Sequence, residues 1–585
     1  MKRDKTGDIR LSASDLMRFM SCAHATALDL QRLNGIGPTP VEDSADAALL
    51  QKQGDAHEAA HLAQLRAEGR SLAVIETDDV PFEHAVAATS EALRQGPEIV
   101  FQGALEGGMW GGYSDFLERV ETPSKLGAWS YEVADTKLKR KPAPGHVLQL
   151  VLYSDLLAEV QGVMPTEAHV ELGDGARFSF RLSEYAAYAR GARRRLESFV
   201  TRPNETRPVP CKTCGLCRWR EHCAQVWKEQ DSLYQVAGIS GTQVQRLEAE
   251  GIATMQVLAE SDGRVPRIAS ATLEKLRTQA RLQHARKSGP PVVELQPRVE
   301  GRGFDLLPEP QKGDLFYDIE GDPFYREGAA DGLEYLHGVW DGSAFTALWA
   351  HDHTEEKQSL MRLFSLFEAQ TETYPKARIY HYAPYEITAL KKLCTRYGFG
   401  EALLDRWLRE GRFVDLYAVV RGGIITSEKS YSIKDMEAFY DIDRTGEVTT
   451  AGGSVVAYED WRESGDQQIL DEIEEYNRVD CVSTEYLRDW LLGLRPEDAV
   501  WNDLTDPTSE RAEAQEAEID LLHDMIAASD LSEERKNLLY DLGVFHQREA
   551  KPAAWAVFDA ATKQFEDLCD DLDCLAGLRA QSPAT

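Results

Sequence analysis

Hydrolysis of a phosphodiester with divalent metals needs carboxylates on neighbouring strands, and often a lysine to activate water or neutralise developing charge. The chain supplies such a set in order. Asp115 stands in GGYSDFLERV, and the next apolar strand pattern, YEVADTKLK, carries Asp135, Thr136 and Lys137. Side chains alternate along an extended strand, so Asp135 and Lys137 share one face while the Thr136 carbonyl stays available to a metal. Upstream, GDAHEAAH places His57 on a helix, where a neutral imidazole would complete a metal shell. Downstream, Gln149 and Tyr153 are four residues apart and share a helix face, as groups that would hold substrate. Each signal alone is common: a DxK tripeptide is usually a solvated strand edge, and a lone helical histidine is usually structural. The ordered set H…D…DxK…QxxxY is what points to a nuclease site.

A second set lies in the other half. DLFYDIEGDP presents Asp318 and Glu320 on one face of an apolar strand, the spacing that lets two carboxylates bridge metal ions. HYAPYEITAL places Glu386 at the start of a helix, and EEYNRVDCVSTEYL places Tyr476 and Asp480 on the same side of another. Asp480 would hold metal there while the Tyr476 phenol orients the attacking water. A chain with 98 acidic residues offers DxE and YxxxD by chance, so the weight rests on context. That context is an apolar strand before DxE and a helix carrying YxxxD at the end of a domain. Asp415, in FVDLYAVVRGG, reads as a structural carboxylate.

Nine cysteines, an odd number, argue against a secreted disulfide framework. Cys211, Cys214, Cys217 and Cys223 crowd into CKTCGLCRWREHC, a spacing that suits soft-metal ligation in a reducing compartment. Cys394, Cys481, Cys569 and Cys574 have no such company and read as ordinary small residues.

The elements that must position these groups follow from length and pattern. A chain of 585 residues, 43% hydrophobic and 28% charged, is long enough for several globular domains. No run suits a bilayer span or a secretory leader, so a cytoplasmic protein without a membrane partner is expected. The net charge of −33 is uneven: residues 1–300 hold 37 basic against 40 acidic residues, and 301–585 hold 28 against 58. Such acidity weighs against a passive nucleic-acid binder yet suits an enzyme whose carboxylates are neutralised by metal.

The predicted fold class is α/β. A mixed domain over 1–230 has helices near 43–68, 145–160 and 183–200, with strands near 98–105, 110–120 and 128–139. Residues 231–290 read as helical, either a helix-hairpin-helix with a glycine turn facing phosphate or a plain spacer capped at Gly251. The Pro/Gly-rich run 291–311 reads as a linker. Three strands followed by alternating helices and strands over 312–498 suggest a ribonuclease-H-like sheet, and 499–585 an acidic helical extension.

The first set resembles the RecB-like exonucleases of the PD-(D/E)xK superfamily, including the CRISPR-associated RecB-type nucleases, which have a restriction-endonuclease-like fold. The resemblance implies a [4Fe-4S] cluster held by one cysteine near the N-terminus and three after the core. Here these would be Cys22, in LSASDLMRFMSC, with Cys214, Cys217 and Cys223. Cys211 departs from that pattern and keeps open a local structural Zn²⁺ site made by Cys211, Cys214, Cys217 and Cys223. The second set resembles the DEDDy 3′–5′ exonucleases, specifically the YprB-type ribonuclease-H-like domain. Glu386 stands where many of those have Asp.

Longer members of this combined family continue into a superfamily-1 helicase. This sequence has no GxxxxGK[ST], so a helicase supplied separately, or a shortened family member, is expected. The implied activity is Mg²⁺- or Mn²⁺-dependent cleavage of nucleic acid, DNA before RNA. The alternatives are an RNA-directed exonuclease and a non-catalytic scaffold for nucleic acid or a helicase.

Overall fold

The computed structural model describes residues 1–327, 330–444, 450–505, 510–562, 568, 574 and 575. Cys569 lies outside them. The first domain is built on a six-stranded sheet: β1 (Leu72–Val74), β2 (Ile99–Gly107), β3 (Trp110–Val120), β4 (Ser130–Lys137), β5 (Glu167–Leu172) and β6 (Arg177–Arg181), in sequential order. The β1–β2 and β4–β5 pairs are parallel and the other three antiparallel.

Period-two alternation in β3 and β4 decides which helix covers which face. Leu117 and Val133 are buried on the side of α5 (Pro144–Gln161). Phe116 and Ala134 face Leu62 and Leu65 of α3 (Ala45–Ala67). LQLVLYSDLL is apolar almost all round, and α5 is accordingly the central buried helix, with Leu150, Val151, Leu156 and Leu157 fully covered. Truncating one of these leucines to alanine would cost about 2–5 kcal/mol.

The second sheet comprises β7 (Leu315–Glu327), β8 (Ala330–Trp340), β9 (Phe345–Trp349), β10 (Ile379–His381) and β11 (Phe413–Asp415), in the order β9-β8-β7-β10-β11. The first three strands are antiparallel, and β10 and β11 run parallel to β7. Tyr317 and Ile319 pack with Leu360 and Leu363 of α11 (His353–Thr373) and Leu390 of α12 (Tyr385–Tyr397). Phe316 belongs to the opposite core, which includes Leu487 and Leu491 of α17 (Gln467–Leu494). Alternation therefore points Asp318 and Glu320 toward α17.

The helical segment 231–290 has its own small core around Leu247, Leu258 and Leu276. It is fastened to the second domain by Gln279, which donates to the Thr426 carbonyl at 2.7 Å and accepts from the Tyr431 hydroxyl at 2.7 Å. The run read as a linker is not free chain. Val293–Leu295 pairs antiparallel with Ile424–Thr426, whose backbone groups satisfy its own. The acidic C-terminal extension also docks back: Trp555 is buried in the second-domain core, and its indole donates to Asp405 at 3.1 Å. Between the domains, α3 meets α16 (Ala451–Ser464) through a Lys52–Glu463 ion pair and a Gln53–Glu459 hydrogen bond of 3.2 Å.

Candidate active sites

In the second domain, oxygens of Asp318, Glu320 and Asp480 lie within 4.8 Å of one another. Strand β7 supplies the first two through its alternation, and α17 brings Asp480 across the sheet. Glu386, at the first turn of α12, is close enough for its charge to raise Asp318. Burial pushes the Asp318 carboxyl well up from its ordinary value, and the charges of Asp480, Glu320 and Glu386 add to this. Burial and Asp480 push Glu320 up to about 8. Three acids so crowded, Asp318, Glu320 and Asp480, cannot all ionise in a buried site without cations.

The residues present fit divalent metal. The donor set is all carboxylate, the choice of hard cations, and the buried Glu386 Oε2 makes no hydrogen bond among the described residues, its polar neighbour being His381 Nδ1 at 3.5 Å. Tyr476 projects from α17 one turn before Asp480. Burial and Asp480 raise its phenol, so it stays protonated at neutral pH.

Several supports of the site lie outside the residues its motifs single out. Asn477 donates from Nδ2 to Asp318 at 2.7 Å. The Lys434 ammonium donates to the Tyr476 hydroxyl at 2.9 Å. Arg444 pairs with Asp480 at 2.5 Å and also with Glu437. Asn477 stands inside the YNRVD run; Lys434 comes from the short helix Ile433–Met436 and Arg444 from the irregular chain after it, neither marked by a catalytic motif. Asp415 caps a helix through the Tyr417 amide at 2.8 Å and receives the Ala383 amide at 2.9 Å, as a structural carboxylate would.

In the first domain, Phe116 pairs with Ala134, which sets Asp115 across from Asp135 on neighbouring strands. The Thr136 amide donates to Asp115 at 3.1 Å. Asp135 is ion-paired with Lys137 and receives Gln149 Nε2 at 2.8 Å. Burial, then the Asp115 charge, hold the Asp135 carboxyl well above its usual range, against the pull of Lys137. Tyr153 is buried one turn beyond Gln149, and its phenol is raised by burial and by Asp115 and Asp135.

The α3 residue whose charge meets this group is Glu58, pushed up to about 7 by burial and Asp115. His57, beside it, has Nδ1 3.3 Å from Arg326 of the second domain. The adjacent pair HE in the sequence offers either residue, and only the helix rotation decides. His61, Glu118 and Glu171 also lie close together, but Arg177 holds Glu118 at 2.7 Å and Glu171 at 2.6 Å, as a structural ion-pair network.

The cysteines from both ends of the first domain meet. Cys22, Cys217 and Cys223 pack around Ala25, Leu28 and Trp219, and Cys211 and Cys214 have sulfurs 3.7 Å apart. Asp29 ties the ends together, receiving Arg18 at 2.6 Å and the Trp219 indole at 2.9 Å. Burial pushes Cys223 up to about 12 and Cys214 to about 11, with neighbouring thiols adding to the shift.

Residues 315–492 match the family model RNase_H_2, described as RNase_H superfamily. The second sheet with α17 is therefore a ribonuclease-H-like domain, whose superfamily fits metal-dependent nucleases in general and implies a nucleic-acid substrate. No curated protein matches the chain. No helix among the described residues is long and apolar enough to cross a membrane.

Proposed function

We propose that the protein is a DNA-directed nuclease with two metal-dependent sites, a 3′–5′ exonucleolytic one in the ribonuclease-H-like domain and a RecB-like one in the first. The observation that carries this reading is the convergence of Asp318, Glu320 and Asp480 to within 4.8 Å beside a buried phenol.

Asp318, Glu320, Asp480 and Glu386 would hold the divalent ions, Mg²⁺ or Mn²⁺. When bound, these supply charge neutralisation and a more acidic water for in-line attack on phosphorus. The Tyr476 hydroxyl, fixed by Lys434, orients the nucleophile through its oxygen. Lys434 and Arg444 place positive charge beside the carboxylates, where a phosphate must enter. In the first domain Asp115 and Asp135 would hold metal, with Glu58, whose charge meets Asp115, completing the set in place of His57, whose ring faces Arg326. Lys137 would stabilise the charge developing on phosphate, and Gln149 fixes Asp135.

The cysteines, in this reading, hold a [4Fe-4S] cluster. Among the described residues no three of their sulfurs lie within 4.8 Å of one another. The Cys211 and Cys214 sulfurs, 3.7 Å apart, have the separation of two ligands of one zinc ion with bonds of ~2.3 Å, so a local structural Zn²⁺ is the alternative. A helicase partner would supply unwound strand.

The Arg444–Asp480 ion pair favours one rival, an idle site serving as a nucleic-acid scaffold. Asp135→Asn and Asp318→Asn, made singly and together, separate the readings on end-labelled single-stranded DNA, duplex DNA and RNA in Mg²⁺ or Mn²⁺. Each single variant is expected to remove one cleavage pattern. A double variant that digests at the wild-type rate overturns both assignments, and binding without any wild-type turnover supports the scaffold.

A further inference from the structure

The two candidate sites are not isolated from each other. A cavity of about 510 Å³ lies between the domains. One wall carries His57 of α3 and Arg140, three residues beyond Lys137. The other carries Phe324 and Arg326 of β7, downstream of Glu320, with Tyr385 and Lys392 of α12, where Tyr385 precedes Glu386. The cavity thus runs from the end of the DxK strand to the edge of the ribonuclease-H-like carboxylates.

Four of those six residues are basic or imidazole, in a chain whose net charge is −33. Two acids face the same space, Asp322 and Glu334. Glu334 accepts from the Tyr385 hydroxyl at 2.9 Å and lies 3.6 Å from Lys392, and Asp322 is buried with Arg462 3.9 Å away. Tyr385 keeps half of its surface exposed, and Phe324 is partly exposed. Aromatic faces interleaved with cations are the recognition chemistry of unpaired nucleic acid: bases stack, and arginines and lysines take the phosphates. The volume is that of an ordinary small-ligand site, about 300–1,000 Å³, which admits a few unpaired nucleotides and no duplex.

We infer that this cavity binds a segment of single-stranded nucleic acid that spans the two domains, so that one strand reaches both carboxylate sites. The inference rests on the nuclease reading above and adds the path of the substrate. The α3–α16 contacts and the Arg326–His57 contact hold the two walls in the facing arrangement the path needs.

The test is binding of a fluorescein-labelled oligo-dT 12-mer to the full chain in EDTA, followed by anisotropy. Tyr385→Ala and Lys392→Glu alter the second-domain wall, Arg140→Glu the first-domain wall. Arg94→Glu, on the exposed surface of α4 (Phe82–Gln95), is the control. Each cavity variant is expected to weaken binding roughly tenfold or more, with Tyr385→Phe restoring it and Arg94→Glu within twofold of wild type. Affinities within twofold of wild type for variants on both walls, in a protein that binds and cuts the oligonucleotide, overturn the inference and leave the nuclease reading standing. A wild-type chain that neither binds nor cuts overturns both. Should Tyr385→Ala lose its fold by circular dichroism, Arg140→Glu and Lys392→Glu carry the comparison. Photocross-linking of a 5-iododeoxyuridine 12-mer is expected to mark the peptides of Phe324 or Tyr385, and adducts confined elsewhere overturn the path.

Discussion

Gly338 stands directly across the antiparallel ladder from Asp318, and its missing side chain is the space through which Asn477 reaches that carboxylate. A Cβ at Gly338 would come within 1.7 Å of Asn477 Oδ1. Gly338→Ala is therefore expected to displace Asn477 and misplace Asp318, lowering exonucleolytic kcat by about 10–100-fold, in line with lost positioning partners at metal sites. The check is steady-state digestion of a 3′-labelled strand alongside thermal melting. Asn477→Ala should reproduce the kinetic loss without the steric one, so its melting temperature should fall less.

Tyr476→Phe removes the hydroxyl while keeping the ring that packs beneath Lys434, whose ammonium lies 4.6 Å from the ring centroid. A loss of about 10²–10⁴-fold in kcat with little change in stability is expected, the range for a positioned proton-handling group. Because burial and Asp480 raise the phenol, the wild-type rate should show no Tyr476-linked fall below pH 10. A rate profile from pH 6 to 10 checks this.

Glu320 links the site to stability. Its carboxyl is raised to about 8 by burial and Asp480, so between about 4.5 and 8 the folded chain keeps a proton that the unfolded chain has released. Stability from this group is fully present below about 4.5 and is lost as pH rises through 8; Asp318 acts in the same direction. In EDTA the melting temperature of wild type should fall from pH 5 to 8 relative to Glu320→Gln, by roughly 2–4 °C per kcal/mol. Mn²⁺ should restore it at pH 8. Differential scanning fluorimetry reads both.

Gln149 Nε2 is the amide that satisfies one oxygen of the buried Asp135. Gln149→Ala should cost about 1–3 kcal/mol of stability by leaving that oxygen unpaired. It should also slow the cleavage proposed for the first domain while sparing that proposed for the second. Denaturant melts and the two assays in an Asp318→Asn background distinguish the effects.

Cys22→Ser and Cys211→Ser separate the two metal readings of the cysteine group. Protein purified anaerobically is expected to be brown, with absorbance near 400 nm, and to lose colour in Cys22→Ser but keep it in Cys211→Ser. Stoichiometric zinc retained in Cys22→Ser and lost in Cys211→Ser would reverse the assignment.

The carboxylate pairs were legible because their signals are local. Alternation fixes Asp318 with Glu320 and Asp135 with Lys137, and a helical turn fixes Tyr476 with Asp480. The strand and helix spans around them, such as β3 over Trp110–Val120 and α5 over Pro144–Gln161, follow from the same periodicities. What distant segments contribute was not legible. Lys434, in the four-residue helix Ile433–Met436, and Arg444, in irregular chain after it, reach the site from segments with no motif of their own, and the rotation of α3 that turns Glu58 toward Asp115 and His57 toward Arg326 depends on how Leu62 and Leu65 seat on the sheet. The strand Val293–Leu295 hid in a Pro/Gly-rich run because its partner, Ile424–Thr426, lies more than a hundred residues away.

Mn²⁺ binding, counted by electron paramagnetic resonance in an Asp135→Asn background, tests most directly whether Asp318, Glu320 and Asp480 form a metal site. Mn²⁺ is expected to bind that protein with affinity rising toward pH 8, and adding Asp318→Asn and Asp480→Asn is expected to abolish this binding. Equal Mn²⁺ binding with and without those two carboxylates would contradict it.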